Sequence, residues 1–185
     1  MVTLRGISLV FIGFSLSFLA FSQNFFYKTY AGGPYDVGQG ACEIENEEYA
    51  ITGSTSSING SSQAFLMLID SLGNQIWTKG YGGGGSDWGR RVFHRANEGL
   101  WIFGYSNSYG AGDFDFSVWK VDNNGEEEWQ QSFGTLGWDR LWDVVELPGG
   151  DFVLLGETEG VNSLDKDILI LRIDDQGNEV WQNQI

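Results

Sequence analysis

The sequence is poor in cysteine, histidine, proline and positive charge. Its single cysteine, Cys42, excludes an intramolecular disulfide and a cysteine-rich zinc site. Ten Lys and Arg face 25 Asp and Glu, and the resulting net charge of -15 disfavours nucleic acid and anionic lipid surfaces as partners. With only 2 prolines and no disulfide, the fold has to be stabilised by packing.

Apolar residues and glycine are plentiful. Hydrophobic residues make up 42% of the chain and aromatic residues 15%, which is enough to build a core and argues against disorder. Glycine occupies 27 of 185 positions, about twice its usual ~7% share. This composition predicts a globular chain with many tight turns.

The first 22 residues have the composition of a signal peptide. Arg5 precedes an apolar run over 7–21, and the small residues Ala20 and Ser22 stand where a signal peptidase would inspect them. The run is shorter than the ~20 residues that span a bilayer as a helix. We therefore expect a signal peptide over 1–22, export to the medium or cell surface, and no membrane span after cleavage. The alternative is an uncleaved membrane anchor.

An Asp-x-x-Gly-x-x-x-Trp landmark occurs three times at a spacing of 52 residues. Its copies are Asp70–Trp77, Asp122–Trp129 and Asp174–Trp181. Upstream of each copy a glycine follows an apolar stretch, at Gly53, Gly104 and Gly156. Repeats of about 50 residues are typical of solenoids and propellers.

Each repeat has the pattern of four short strands. In the second repeat the strands are predicted over 90–95, 100–106, 115–122 and 126–133, because β-branched and aromatic residues alternate there with Asn, Asp and Gly turns. The second and third strands are apolar at consecutive positions, so both faces of each sheet should be covered. This pattern predicts an all-β, β-propeller-like fold with three four-stranded antiparallel blades. The alternative is a β-trefoil-like fold of three repeats.

The repeat boundaries divide the chain after the signal peptide. Residues 23–185 form the repeat region, with an orphan strand over 25–30 and blades at about 36–81, 87–133 and 139–185. An orphan fourth strand at the front is the piece that closes many propellers. Because propellers have typically four to eight blades, we expect the chain to be a fragment of a longer gene product that forms an incomplete propeller.

The repeats resemble those of a known family. They combine a Gly-Gly pair, a following Asp, strands that end in Gly-Tyr-Ser (104–106) or Gly-Glu-Thr (156–158), and Gly-Asn-x-x-Trp (73–77 and 177–181). This unit resembles repeats of secreted Bacteroidota β-propeller-like proteins, which often carry a sorting domain for type IX secretion and have no established activity. It is more distantly similar to quinoprotein-type propeller blades. The resemblance implies a secreted repeat protein.

Motifs that would carry catalysis are weak. Gly80–Gly85 fits the G-x-G-x-x-G pattern of nucleotide sites, but a strand follows it where such a site needs a helix. The single histidine, His94, aligns with Glu43 and Glu146 of the other repeats, which favours a charged slot in a central channel over a catalytic triad. We predict no catalytic residue and no cofactor.

Two pairs of carboxylates are weak candidates for a metal site. Asp113 with Asp115, and Asp165 with Asp167, could offer oxygens to calcium. The first repeat has Ser61 and Gln63 at these positions, so turn capping is favoured and no metal is predicted.

The longer loops should collect at one end of the blades, since loops of a meander alternate between the two ends. Recognition usually lies in long loops on a rigid scaffold. The candidate ligand-binding residues at this end are Asp36, Asp87, Trp88, Trp138 and Asp139. For the three aspartates, hydrogen bonding to backbone amides of their own loops is the alternative.

The sequence therefore predicts an exported, non-catalytic module for interaction or surface recognition. Acidic and aromatic side chains at the same end favour a cation, a sugar or a basic protein segment as ligand over an anion. The partner would be a protein or glycan at the cell surface. The alternatives are a fragment of a quinoprotein-type enzyme and a carbohydrate-binding module.

Overall fold

The structure, a computed structural model, describes residues 27–30, 32, 34–58, 61–159 and 165–185. The predicted signal peptide lies outside these residues, as do residues 160–164 of the predicted third blade. Within them the chain forms twelve strands and one single-turn 3-10 helix, Glu45–Glu47. The strands are β1 (Asp36–Glu43), β2 (Tyr49–Thr55), β3 (Gln63–Ile69), β4 (Gln75–Tyr81), β5 (Asp87–Arg95), β6 (Gly99–Ser106), β7 (Asp115–Val121), β8 (Glu127–Phe133), β9 (Trp138–Glu146), β10 (Phe152–Glu159), β11 (Lys166–Ile173) and β12 (Glu179–Gln184).

The strands form three separate sheets of four, which we call blade 1 (β1–β4), blade 2 (β5–β8) and blade 3 (β9–β12). Each blade is an antiparallel meander in chain order. The predicted all-β, propeller-like architecture is confirmed, and the three blades form an incomplete propeller. The described residues form no closed barrel, as the trefoil alternative would require.

The strand and turn positions of blade 2 agree with the predicted ones except at the first strand. Strand β5 begins at Asp87 rather than at 90, because Asp87 and Trp88 already pair with Ser106 and Tyr105 of β6. The hairpin turn between β7 and β8 places Gly125 at φ 75°, in the left-handed region that glycine adopts without strain.

A β-bulge interrupts the first strand of every blade at the same place. In each blade one residue of the first strand has no partner in the second strand. These residues are Gln39, Arg90 and Trp142. Close to the bulge, the second strand runs under a carbonyl group of the first. A Cβ atom on Gly104 would lie 1.7 Å from the carbonyl oxygen of Trp88. Gly53 and Gly156 meet the same obstacle in blades 1 and 3, which explains why this glycine recurs.

Two hydrophobic clusters join the blades. Ile102 and Trp119 of blade 2 pack against Ala64 and Leu66 of blade 1. On the other side of blade 2, Trp101, Phe103 and Phe116 pack against residues of blade 3 such as Phe152 and Leu169. Strands β6 and β7 are buried at every position, so both faces of blade 2 are covered as predicted.

The face of blade 3 that points away from blade 2 is partly exposed. Val145, Leu155 and Ile168 keep 57%, 43% and 49% of their surface accessible. The sequence predicted cover on both faces of every sheet, and within the described residues nothing packs on this one. The expectation is therefore confirmed for blade 2, and for this face of blade 3 it stays a prediction.

The segment ahead of blade 1 makes one side-chain hydrogen bond that a fourth strand also makes. Tyr81 of β4 donates a hydrogen bond of 2.9 Å to the carbonyl oxygen of Gly125 in the next blade. Tyr30 donates in the same way to Gly73 of blade 1, at 2.5 Å. Residues 27–30 nevertheless lie in irregular backbone. No described strand pairs with these four residues, and 25–26 lie outside the described residues, so the orphan strand over 25–30, which would complete a closing blade, stays a prediction.

Candidate functional site

The longer loops lie side by side at one end of the blades. In blade 2, the amide of Asn107 donates to the carbonyl oxygen of Ser86 at 3.1 Å, and the amide of Ser86 donates back to the Asn107 side chain at 2.5 Å. These bonds join the loop between blades 1 and 2 to the loop between β6 and β7. We call the end formed by the loops between blades and the loops between second and third strands the loop rim.

Asp87 connects the loops of this rim. Its carboxylate accepts hydrogen bonds from the amide of Gly83 at 3.1 Å, from the hydroxyl of Ser108 at 2.9 Å, and from the hydroxyl of Ser106. The side chain is fully buried. Burial raises the pKa of this carboxyl, while the hydrogen bonds from Ser106, Ser108 and Gly83 act in the opposite direction.

Asp36 and Asp139 repeat the arrangement in the other blades. Asp36 accepts from the amide of Gly32 at 2.8 Å and from the hydroxyl of Thr55 at 2.5 Å. Asp139 is buried and accepts from the amide and the hydroxyl of Thr135. All three aspartates thus hold the loop that precedes them. Their role as ligand-binding residues stays a prediction.

The acidic pairs considered for calcium also bond within the protein. Asp115 is buried and accepts from the amides of Ala111 and Gly112 at 3.0 and 3.1 Å. Burial raises its pKa, and the nearby charge of Asp139 adds to the effect. Asp113 accepts from the indole of Trp138, and Asp167 accepts from the side-chain amide of Gln184. Among the described residues, no three His, Cys, Asp or Glu side chains come together as a metal site would need.

The two tryptophans of the predicted site differ in exposure. Trp88 is half-buried and stacks on Tyr105, with ring centres 5.8 Å apart and planes 10° from parallel. Trp138 is 36% exposed, and its indole N–H donates to Asp113 at 2.9 Å. The edge of Phe114 supports the Trp138 ring at 4.8 Å. The rim therefore presents one partly exposed indole whose orientation is fixed by a hydrogen bond.

Two arginines lie beside these aromatic residues, and sequence reasoning missed them. The guanidinium of Arg90 lies 5.3 Å from the ring centre of Tyr105, and that of Arg140 lies 5.7 Å from the same ring. Both also lie over Trp142, which is 43% exposed. Arg90 and Trp142 are bulge residues, a position that carries Gln39 in blade 1. This shared position could have pointed to Arg90 and Trp142 in the sequence, although the residue type differs in each repeat.

The predicted channel slot of Glu43, His94 and Glu146 contains further contacts. Glu146 accepts a hydrogen bond of 2.8 Å from Arg95 of the preceding blade. Cys42 is half-buried, and burial raises its pKa to about 11, against a smaller lowering by a backbone hydrogen bond from His94. A thiol with that pKa stays protonated at neutral pH and is a poor nucleophile.

A cavity lies elsewhere, on the face of blade 1 opposite blade 2. Its volume is about 300 Å³, and its walls include Val37, Ile51, Phe65 and Met67, with Asp36 at the rim end. In blade 2 the equivalent face packs against blade 1. The cavity is therefore a continuation of the blade-packing surface.

We compared the chain with protein-family models and with curated proteins. No protein-family model matches the chain, and no curated protein matches it. In the described part of the chain, no helix has the length and apolar character needed to cross a membrane.

Proposed function

We propose that this chain is an exported, non-catalytic propeller-like repeat protein that recognises a ligand at its loop rim. The observation that carries the proposal is the fixed, partly exposed indole of Trp138 on a rim whose loops are joined by buried carboxylates. A rigid scaffold that presents an aromatic face lowers the entropy cost of binding.

A glycan is the ligand class that this surface fits best. Trp138 and Trp142 both expose part of an indole ring, and they lie on the same strand, β9, near the loop rim. Flat aromatic faces with polar neighbours are suited to ligands that are apolar on one face and hydroxylated at the edge. A protein partner at the cell surface is the second candidate, favoured by the apolar residues exposed on blade 3.

Export is supported by the sequence of the first 22 residues and by the resemblance to secreted Bacteroidota repeat proteins. Intact-mass analysis of the protein recovered from the medium or cell envelope should give a chain that begins at Gln23. Retention of Met1 on that material would contradict export by a cleaved signal peptide.

Binding is tested on a glycan array with the purified chain and two variants. Trp138→Ala should weaken binding about tenfold or more, as expected for an aromatic anchor at a binding site. Asn123→Ala, in the turn between β7 and β8, is the matched control and should bind as the original chain does. Equal losses in both variants, or no glycan bound above background, would contradict the proposed function.

A further inference from the structure

We propose that Arg90, Arg140 and Trp142 form a subsite for the carboxylate of an acidic sugar, a hexuronate unit, on the first strands of blades 2 and 3. The inference rests on the proposed function and specifies its ligand class. The sequence favoured a cation, a sugar or a basic protein segment over an anion. The structure changes this expectation, because it shows which charged groups near Trp142 have partners.

Position on the fold brings the three side chains together. Arg90 and Trp142 are bulge residues of β5 and β9, and a bulge turns its extra side chain away from the regular alternation of the sheet. The Arg90 guanidinium lies 4.7 Å from the ring centre of Trp142. Arg140 lies 5.8 Å from the same ring and 5.3 Å from that of Trp138. Both guanidiniums therefore border one exposed indole.

Both arginines keep donors without a partner. The Nε atoms of Arg90 and Arg140 are buried, and neither makes a hydrogen bond within the described residues. Arg90 donates to the side chain of Gln39 at 3.0 Å and makes only a long contact of 3.5 Å with the Tyr105 hydroxyl. A ligand on the surface would therefore bond to the terminal guanidinium nitrogens, since the Arg140 side chain keeps 29% of its surface exposed and Arg90 is half-buried.

No carboxylate of the described residues fully neutralises the pair. Glu157 is 3.5 Å from Arg140 but accepts a shorter bond of 2.9 Å from Lys166. Asp143 pairs with Arg91 at 2.7 Å. Asp87 is buried and accepts its bonds from the loops. In a chain with a net charge of -15, the only ion pair that the described residues offer these two guanidiniums is the long contact of Arg140 with Glu157, which Arg140 shares with Lys166.

The overall negative charge does not rule out an anionic ligand here. At physiological salt, charges more than ~8 Å away are largely screened, so the nearest groups dominate. The planar guanidinium fork matches a carboxylate in geometry and charge. Trp142 and Trp138, which both border Arg140 and are 43% and 36% exposed, can contact the rings of the sugar with their accessible parts. A carboxylate attached to a ring therefore satisfies both features of the site.

The experiment uses isothermal titration with oligomers of galacturonate, mannuronate and glucuronate, each beside its methyl ester. The purified chain should bind at least one acid oligomer about tenfold or more tightly than its ester, since charged hydrogen bonds are the strong ones. Arg140→Gln should weaken the acid oligomer about tenfold and leave the ester unchanged. Combining it with Arg90→Gln should weaken the acid oligomer further. Because Arg140 also contacts the rings of Trp138, Tyr105 and Trp142, thermal unfolding of Arg140→Gln verifies that the variant keeps its fold, and Asn123→Ala is the control for binding.

Each other result contradicts the subsite in a distinguishable way. Equal affinity for acid and ester, with loss of both in Trp138→Ala, would overturn the acidic subsite and leave glycan recognition standing. If hexaglutamate binds as tightly as the acid oligomers, the site recognises carboxylates in general and not an acidic sugar. If neither oligomer nor ester binds, and the glycan array shows no neutral ligand, the proposed function fails as well.

Discussion

The six-membered ring of Trp77, in β4 of blade 1, packs on the backbone of Gly125, in the β7–β8 turn of blade 2. A Cβ atom on Gly125 would lie 2.8 Å from Cη2 of Trp77. Trp129 and Gly177 form the same contact between blades 2 and 3, where the distance would be 2.5 Å. The glycine and tryptophan of the repeated landmark thus meet across the boundary between blades, each tryptophan reaching the glycine of the next repeat.

The first prediction concerns this contact. Gly125→Ala should lower the free energy of unfolding by about 2–4 kcal/mol, because it combines a positive φ with a clash against an indole. Gly149→Ala is the matched control, since Gly149 also has a positive φ of 119° but a Cβ atom there would meet nothing within 4 Å. Urea titration measures both. A loss for Gly125→Ala of only ~1–2 kcal/mol, the cost of the positive φ alone, would mean that the indole contact has no effect on stability.

The second prediction concerns the glycine under the bulge. Gly104→Ala should lower the free energy of unfolding by about 3 kcal/mol or more, because its Cβ would overlap a backbone oxygen that cannot rotate away. Gly84→Ala serves as control, since that position has open space around it. Thermal unfolding that shows Gly104→Ala as stable as Gly84→Ala would contradict the bulge geometry.

The third prediction concerns acid stability. The carboxylate of Asp122 accepts from the amides of Glu126 and Asn124, both at 2.8 Å. These bonds, led by that from Glu126, hold its pKa below the usual 3.8. A lowered folded-state pKa stabilises the protein above pH ~4, and that stabilisation is lost as the pH falls further. The stability difference between the original chain and Asp122→Ala should therefore be constant from pH 7 to 5 and shrink below pH ~4.

Denaturant titrations across this range check the prediction. Asn123→Ala, in the same turn, is the control, because it removes no titratable group. A difference for Asp122→Ala that grows as the pH falls would show that the turn does not favour the ionised aspartate.

The fourth prediction has the opposite sign. Burial raises the pKa of Asp87, so its ionised form is disfavoured in the folded state. As the pH falls from 7 through the raised folded-state pKa, the original chain should gain stability relative to Asp87→Asn, until the unfolded-state pKa near ~3.9 is reached. Parallel titrations of the two proteins measure the difference. A relative loss of stability over this range would mean that hydrogen bonds from Ser106, Ser108 and Gly83 outweigh burial.

The turns and strand order could be predicted because each repeat carries the same local signals. Asp122 and Gly125 determine a hairpin turn by themselves, and the same pair recurs in the other two repeats. Contacts between repeats were harder to foresee. The position of Gly104 was visible as a recurrence, but its cause, the carbonyl oxygen of Trp88, depends on a bulge in the neighbouring strand.

The arginine and tryptophan cluster could not be predicted, because its members do not recur. The bulge position carries Gln39, Arg90 and Trp142, which differ in chemistry. A comparison of the repeats therefore shows no common residue type at this position. The burial of Asp87 was equally hidden, since charged residues near glycine loops are usually solvent-exposed. Tertiary packing decided both features.

Titration of the uronate oligomers into the isotopically labelled chain, followed through the indole N–H signals of its 8 tryptophans, tests the central claim most directly. Tryptophan-to-phenylalanine variants assign the signals. The account predicts that the signals of Trp138 and Trp142 shift with saturation, while those of Trp77 and Trp101, which pack between blades, stay in place. Saturable shifts at Trp77 or Trp101 without shifts at Trp138 and Trp142, or no shift at any tryptophan, would contradict recognition of acidic sugars beside Trp138 and Trp142.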